Sequence, residues 1–150
     1  MPLISAKDQQ TLRELFAERL QSDVTITYFT QHDSVLIVPG QECSFCKETR
    51  ELLEEVVELS DKLHLDVKDF VRDEAEATQL GITHIPAFVL SGQNKGRVRY
   101  LGIPAGYEFS SVVEDLLDVS SGAPELTEPT RKALDGLQQD LHIQVFVTPT

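Results

Sequence analysis

Cys43-Ser44-Phe45-Cys46 holds the only two cysteines of the chain, three residues apart where a long amphipathic helix begins. Two thiols at that spacing close to a disulfide and reopen, which is the chemistry of a redox centre. Amide groups at a helix N-terminus stabilise a thiolate and bring such cysteines from about 8.5 down to about 3.5–7.5. The second sulfur can then reach back and expel whatever the first has captured. Two plainer readings stand beside this one. Half of a zinc site would need a full set of four ligands, and no second cysteine pair is present. Two small buried apolar residues would need no chemistry at all.

A second element downstream favours the redox reading. Gly81-Ile82-Thr83-His84-Ile85-Pro86 stands directly before a strand, where proline costs no ladder hydrogen bond. We expect the Ile85–Pro86 bond to be cis, against the base rate for X-Pro, so that the Ile85 backbone lies against the disulfide and can pair with a bound chain. His84, beside that bond, can tune Cys43, help hold a metal, or be an ordinary half-exposed loop histidine. His32, His64 and His142 read as incidental.

The surrounding pattern supplies the scaffold. Ser5-Ala6-Lys7-Asp8 has capping-box spacing with Asp in the Glu position, and Leu12, Leu15, Phe16 and Leu20 follow at helical intervals. Val24–Phe29 alternates as a strand. Residues 30–42 read as an insertion with a short strand at Ser34–Val38, most simply a surface hairpin. From Cys46, Leu52, Leu53, Val56, Val57 and Leu63 predict a helix reaching about His64, then a strand at Leu65–Val67 and a short helix over 74–80. Gly81 follows as its left-handed cap. Ala87–Leu90 and Arg97–Leu101 are strands joined by a polar hairpin loop, and Phe109, Val112, Val113, Leu116 and Leu117 mark the next helix.

Composition narrows the class. An apolar share of 41% over 150 residues suits one well-cored domain with a short appendage. No apolar run approaches a membrane span, and Met1–Ser5 shows no secretory pattern, so a cytoplasmic protein is expected. A net charge of −12 argues against nucleic acid and against an anionic membrane surface. The excess is concentrated: residues 43–80 carry eleven Asp/Glu against five Lys/Arg, a solvated helix face that can also steer a basic protein partner.

Taken together, Cys43–Cys46 and Gly81–Pro86 resemble the thioredoxin superfamily. The run Arg99-Tyr100-Leu101-Gly102-Ile103-Pro104-Ala105-Gly106-Tyr107-Glu108-Phe109, with Val145–Thr150, closely resembles the glutaredoxin-like protein disulfide oxidoreductases. Members of that family carry two thioredoxin-fold units in tandem, each with its own Cys-x-x-Cys. The resemblance implies an α/β, thioredoxin-like fold: a central mixed β-sheet flanked by helices, with a C-terminal helix–strand appendage. It implies Cys43 as the attacking thiolate, Cys46 as the resolving thiol, and Ile85 and Pro86 as the substrate-binding element. No cofactor and no metal is called for. Protein disulfides are the implied substrates, with a thioredoxin-reductase-like flavoprotein or a peroxiredoxin as partner.

Two departures from the family accompany this. One is the insertion at 30–42. The other is the C-terminal part, where Asp140 laid on Asp23 puts Leu137 on Leu20, Ile143 on Ile26 and Phe146 on Phe29. We therefore expect a unit over 1–119, a linker over 120–126, and the first helix and strand of a second unit over 127–150, stopping where its cysteines would begin. An apolar strand over 141–147 without a partner invites self-association, or packing back on the first unit. Other functions fit the same residues: a docking or electron-relay module, related to the N-terminal domain of the flavoprotein component of alkyl hydroperoxide reductase, or a metal module sharing Cys43 and Cys46 across a dimer. On Cys43 itself, Glu42 should raise the pKa, and Lys47 or Arg50 should lower it.

Overall fold

A computed structural model describes residues 2–31, 43–123 and 125–147. Along the chain run α1 (Ala6–Arg19), β1 (Val24–Thr30), α2 (Cys46–Val57), β2 (Leu63–Asp69), α3 (Glu74–Leu80), β3 (Ala87–Ser91), β4 (Val98–Leu101), α4 (Tyr107–Ser121) and α5 (Glu128–Asp135). The sheet has the order β2-β1-β3-β4, with β1 and β2 parallel and the other two pairings antiparallel. This is the mixed sheet that the family resemblance implies.

Strand β1 lies between two neighbours and is covered on both faces, which is why every residue of Val24–Thr30 but Thr25 is buried, the threonines Thr27 and Thr30 included. Alternation along it divides the core. Val24, Ile26 and Tyr28 pack with Leu12 and Phe16 of α1, Leu52, Leu53 and Val56 of α2, and Val112, Val113, Leu116 and Leu117 of α4. Phe29 faces the other way, with Ala77 of α3, Ile82, Ala87 and Val89.

Local chemistry sets most boundaries. At the start of α1 the Ser5 hydroxyl accepts from Asp8 N at 3.2 Å while donating to Asp8 Oδ2 at 2.6 Å, a variant of the expected capping box. Helix α2 stops at Val57, short of the expected His64. Leu59 and Leu63 keep helical spacing, yet Leu63 opens β2 and pairs with Val24, so its burial comes from the sheet. The same pairing lengthens β2 beyond Leu65–Val67, since all of β1 finds a partner there.

The far end of the molecule is tied by Ser120. Its Oγ accepts from Gln21 N and Ser22 N, both at 2.8 Å, and donates to Ser22 O at 2.7 Å. Helix α4 accordingly runs two residues beyond the expected boundary at 119. Gly122 caps it in the left-handed region, where a Cβ would come within 2.7 Å of the Gln93 carbonyl.

Beyond the linker, α5 forms with Thr127 as its cap and Pro129 in its first turn. The strand expected over 141–147 is not formed. These residues pair with no other strand among the described residues, and a lone strand has no backbone hydrogen bonds to hold it. Their side chains are exposed, so they do not pack back on the first unit either. The expected strand at 34–38, His32, Glu42 and the Thr148–Thr150 end of the motif lie outside the described residues.

Candidate redox site

Cys43 and Cys46 are joined by a disulfide with an S–S distance of 2.01 Å and Cα atoms 5.5 Å apart. Cys46 is the first residue of α2 and Phe45 is the cap; no side chain caps the backbone there, and the Cys46 amide donates to Cys43 O at 3.5 Å. Cys46 is buried while Cys43 is half-exposed, which makes the Cys43 sulfur the one that a large partner can reach. Within the turn, the buried Thr49 donates its hydroxyl to Phe45 O at 2.7 Å, and its own amide bonds the same carbonyl.

Two contacts from β1 escaped sequence reasoning. The Tyr28 hydroxyl donates to Cys46 O at 2.7 Å from a wholly buried position. One strand position beyond β1, Gln31 Oε1 accepts the Cys43 amide at 2.8 Å. The available signal was the tyrosine itself: a phenol on the core face of a buried strand needs a partner for its hydroxyl. Burial pushes the Tyr28 hydroxyl above its ordinary value, opposed by a hydrogen bond with Thr30 and the charge of Arg50.

The cations expected to act on Cys43 are engaged further down the helix. Lys47 stands 3.9 Å from Glu51, and Arg50 Nε lies 2.7 Å from Glu54 Oε1. Each carboxylate offsets the charge its partner presents toward the helix start.

The Ile85–Pro86 peptide is cis, as expected. Ala87 pairs with Phe29 on one side and Leu101 on the other. The β1–β3 pairing ends at Ala87, the residue after the cis bond, opposite Phe29 and two residues before Gln31, whose side chain accepts the Cys43 amide. The loop is held at both ends from β4. Gly102 N donates to Pro86 O at 2.7 Å, and Arg99 Nη1 donates to Gly81 O at 2.8 Å. Gly81 is left-handed, and a Cβ there would come within 2.2 Å of Arg99 Nη1.

His84 is exposed on this loop, its Nδ1 2.9 Å from the Thr83 hydroxyl. Among the described residues, no three His, Cys, Asp or Glu side chains gather as a metal set, and no helix is long and apolar enough to cross a membrane. Phe45 and Val71 expose their apolar side chains, Phe45 within the redox turn and Val71 just after β2. His64 lies on β2, 3.8 Å from Asp23, and His142 is exposed in the tail.

No family model matches the chain. Over 106 residues, 69% of its length, the chain is 31% identical to the alkyl hydroperoxide reductase protein AhpF of Staphylococcus aureus, and it spans only 18% of that protein. The counterpart from Staphylococcus epidermidis is 30% identical over 105 residues. Among solved structures, a protein disulfide oxidoreductase from Aeropyrum pernix superposes with a TM-score of 0.71 at 26% identity, covering 89% of this chain and 55% of that one. The alkyl hydroperoxide reductase protein AhpF from Enterococcus faecalis superposes with a TM-score of 0.73 at 24% identity, covering 89% and 61%. At that identity the second likeness speaks for the fold alone.

Proposed function

We propose, for a chain that belongs to the thioredoxin-like tandem family, that Cys43 and Cys46 exchange their dithiol with the disulfides of other proteins. The observation that carries this reading is the asymmetric pair at the start of α2: a reachable Cys43 bonded to a buried Cys46. In the reducing direction, the Cys43 thiolate attacks one sulfur of a substrate disulfide. A bond forms between them and the other substrate sulfur leaves as a thiolate. Cys46 then loses its proton to solvent and attacks Cys43 Sγ, which closes the internal disulfide and releases the second substrate thiolate. Two electrons pass from the pair to the substrate, and a dithiol partner or a flavoprotein reductase restores them. Run backwards, the same steps oxidise a substrate dithiol.

Ile85 and Pro86 serve in this scheme as the surface on which the substrate backbone settles, with the Ile85 backbone as its hydrogen-bonding edge. The likeness to the alkyl hydroperoxide reductase protein AhpF favours a second reading of the same centre, a relay between a flavoprotein reductase and a peroxiredoxin in the cytoplasm. Insulin reduction in the presence of dithiothreitol separates the readings. The parent should accelerate it, and Cys43→Ser should abolish the acceleration. Turnover by Cys43→Ser equal to the parent would sink both readings. A parent that is slow on insulin, yet rapidly reduced by such a flavoprotein, would select the relay.

A further inference from the structure

Two side chains of one strand segment reach the redox turn, one at each cysteine. Tyr28 holds the Cys46 carbonyl from the core at 2.7 Å, and Gln31 holds the Cys43 amide from the solvent side at 2.8 Å. We propose that Tyr28 and Gln31 are positioning residues that set the stability of the Cys43 thiolate, and with it the balance between dithiol and disulfide. This rests on the reading of the pair as a redox centre.

Opening the disulfide puts two electrons into the S–S bond and leaves a thiolate on Cys43 and, after uptake of one proton, a thiol on Cys46. The thiolate sits at the start of α2, where the first amides have no carbonyl partner within the helix. One of those amides belongs to the Cys46–Lys47 peptide, whose carbonyl oxygen is the Cys46 O that Tyr28 binds. A donor on the carbonyl draws electron density from the peptide and makes its N–H the stronger donor. Tyr28 therefore favours the thiolate through the backbone, without touching sulfur. The hydroxyl is suited to this because burial keeps it protonated, and hence a donor, across the working range.

Gln31 acts by staying neutral. It brings an oxygen to the Cys43 amide without bringing a full negative charge beside the sulfur. A carboxylate in its place would oppose the thiolate.

The test measures the equilibrium of the full chain with reduced and oxidised glutathione, together with the pH dependence of thiolate ultraviolet absorbance. Tyr28→Phe removes a single oxygen and should shift the equilibrium roughly threefold toward the disulfide while raising the Cys43 pKa. Gln31→Glu, on the surface and safe for folding, should shift it the same way by roughly three- to tenfold. Gln31→Asn, which stays neutral, should remain close to the parent. A merely structural role would lower the unfolding midpoint of Tyr28→Phe and leave both the equilibrium and the pKa at the parent values. That result, or a Gln31→Glu variant indistinguishable from the parent, would overturn the proposal. The reading beneath it fails separately, through a parent that never equilibrates with glutathione.

Discussion

The helix–strand pattern occurs twice in this chain, with opposite outcomes. In the first occurrence Leu20, Ile26 and Phe29 are 3%, 0% and 0% exposed; in the second Leu137, Ile143 and Phe146 are 47%, 80% and 88% exposed. The local signals are equivalent. Both helices have an oxygen-bearing cap, Ser5 and Thr127, and both are followed by an alternating apolar run. What differs is what packs beside each pattern. The first pattern is followed by β2 and β3, which hydrogen-bond both edges of β1, and by α2 and α4, which cover it. The second has no such neighbours among the described residues. A helix needs only its own backbone, so α5 forms; a strand needs another strand, so 141–147 does not.

The largest effects should follow from breaking the buried copy and leaving the exposed one. Phe29→Ala opens a cavity between β1 and α3 and should cost about 3–5 kcal/mol in urea unfolding of the whole chain. The matching Phe146→Ala should fall within about 0.5 kcal/mol of the parent. Equal losses at the two positions would mean that the tail is packed in solution, and the contrast would collapse. Next comes the tie behind β1. Ser120→Ala strips the partner from two part-buried amides and should cost about 2–4 kcal/mol. Thr127→Ala, the cap of α5, should fray that helix by about 1 kcal/mol without moving the global midpoint, which amide exchange and urea titration together can tell apart.

Legibility in the sequence followed the same division. The dithiol, the cis Ile85–Pro86 bond and the Gly81 cap are features of residue type at fixed spacing, and each was readable in advance. So were the strands whose alternation is bounded by turns. The end of α2 was not, because Leu63 fits the helical stripe and only its pairing with Val24 places it in a strand. Tyr28 and Gln31 were missed at the site for a related reason. Their bonds run from side chain to a backbone group many residues away, and no spacing rule encodes which carbonyl a buried phenol will meet. Lys47 and Arg50 were visible as cations near Cys43, but the competing Glu51 and Glu54 lie at the favoured i,i+4 spacing, and the field at the sulfur depends on both.

A smaller effect should come from the exposed apolar run itself. Ile143, Val145, Phe146 and Val147 each expose their apolar side chains, and an exposed apolar run favours association. Light scattering across a concentration series should show association by the parent, and Ile143→Asp should reduce it while leaving glutathione equilibration untouched. A parent that stays monomeric at all concentrations would remove self-association from the account.

The smallest effect concerns pH, and it belongs to the part of the chain before the linker, which holds Tyr28, Tyr100 and Tyr107. Tyr100 stacks on Phe88 at 5.0 Å and donates to Asp115 Oδ2 at 2.5 Å. Burial first, then the Asp115 hydrogen bond and charge, push its hydroxyl well above the ordinary value. Tyr28 is displaced in the same direction, chiefly by burial. Above pH of about 10 the unfolded chain gives up these protons while the folded chain keeps them. The unfolded state then binds fewer protons, so stability falls as pH rises; below that point the contribution is fully present. Tyr100→Phe should therefore be less stable than the parent at neutral pH, where it lacks the hydrogen bond, and should approach it as the pH climbs past about 10. Ile143→Asp should track the parent throughout. A constant gap between Tyr100→Phe and the parent would show that Asp115 does not hold this proton in the folded chain, and would confine the stabilisation at β4 and α4 to the stacked rings.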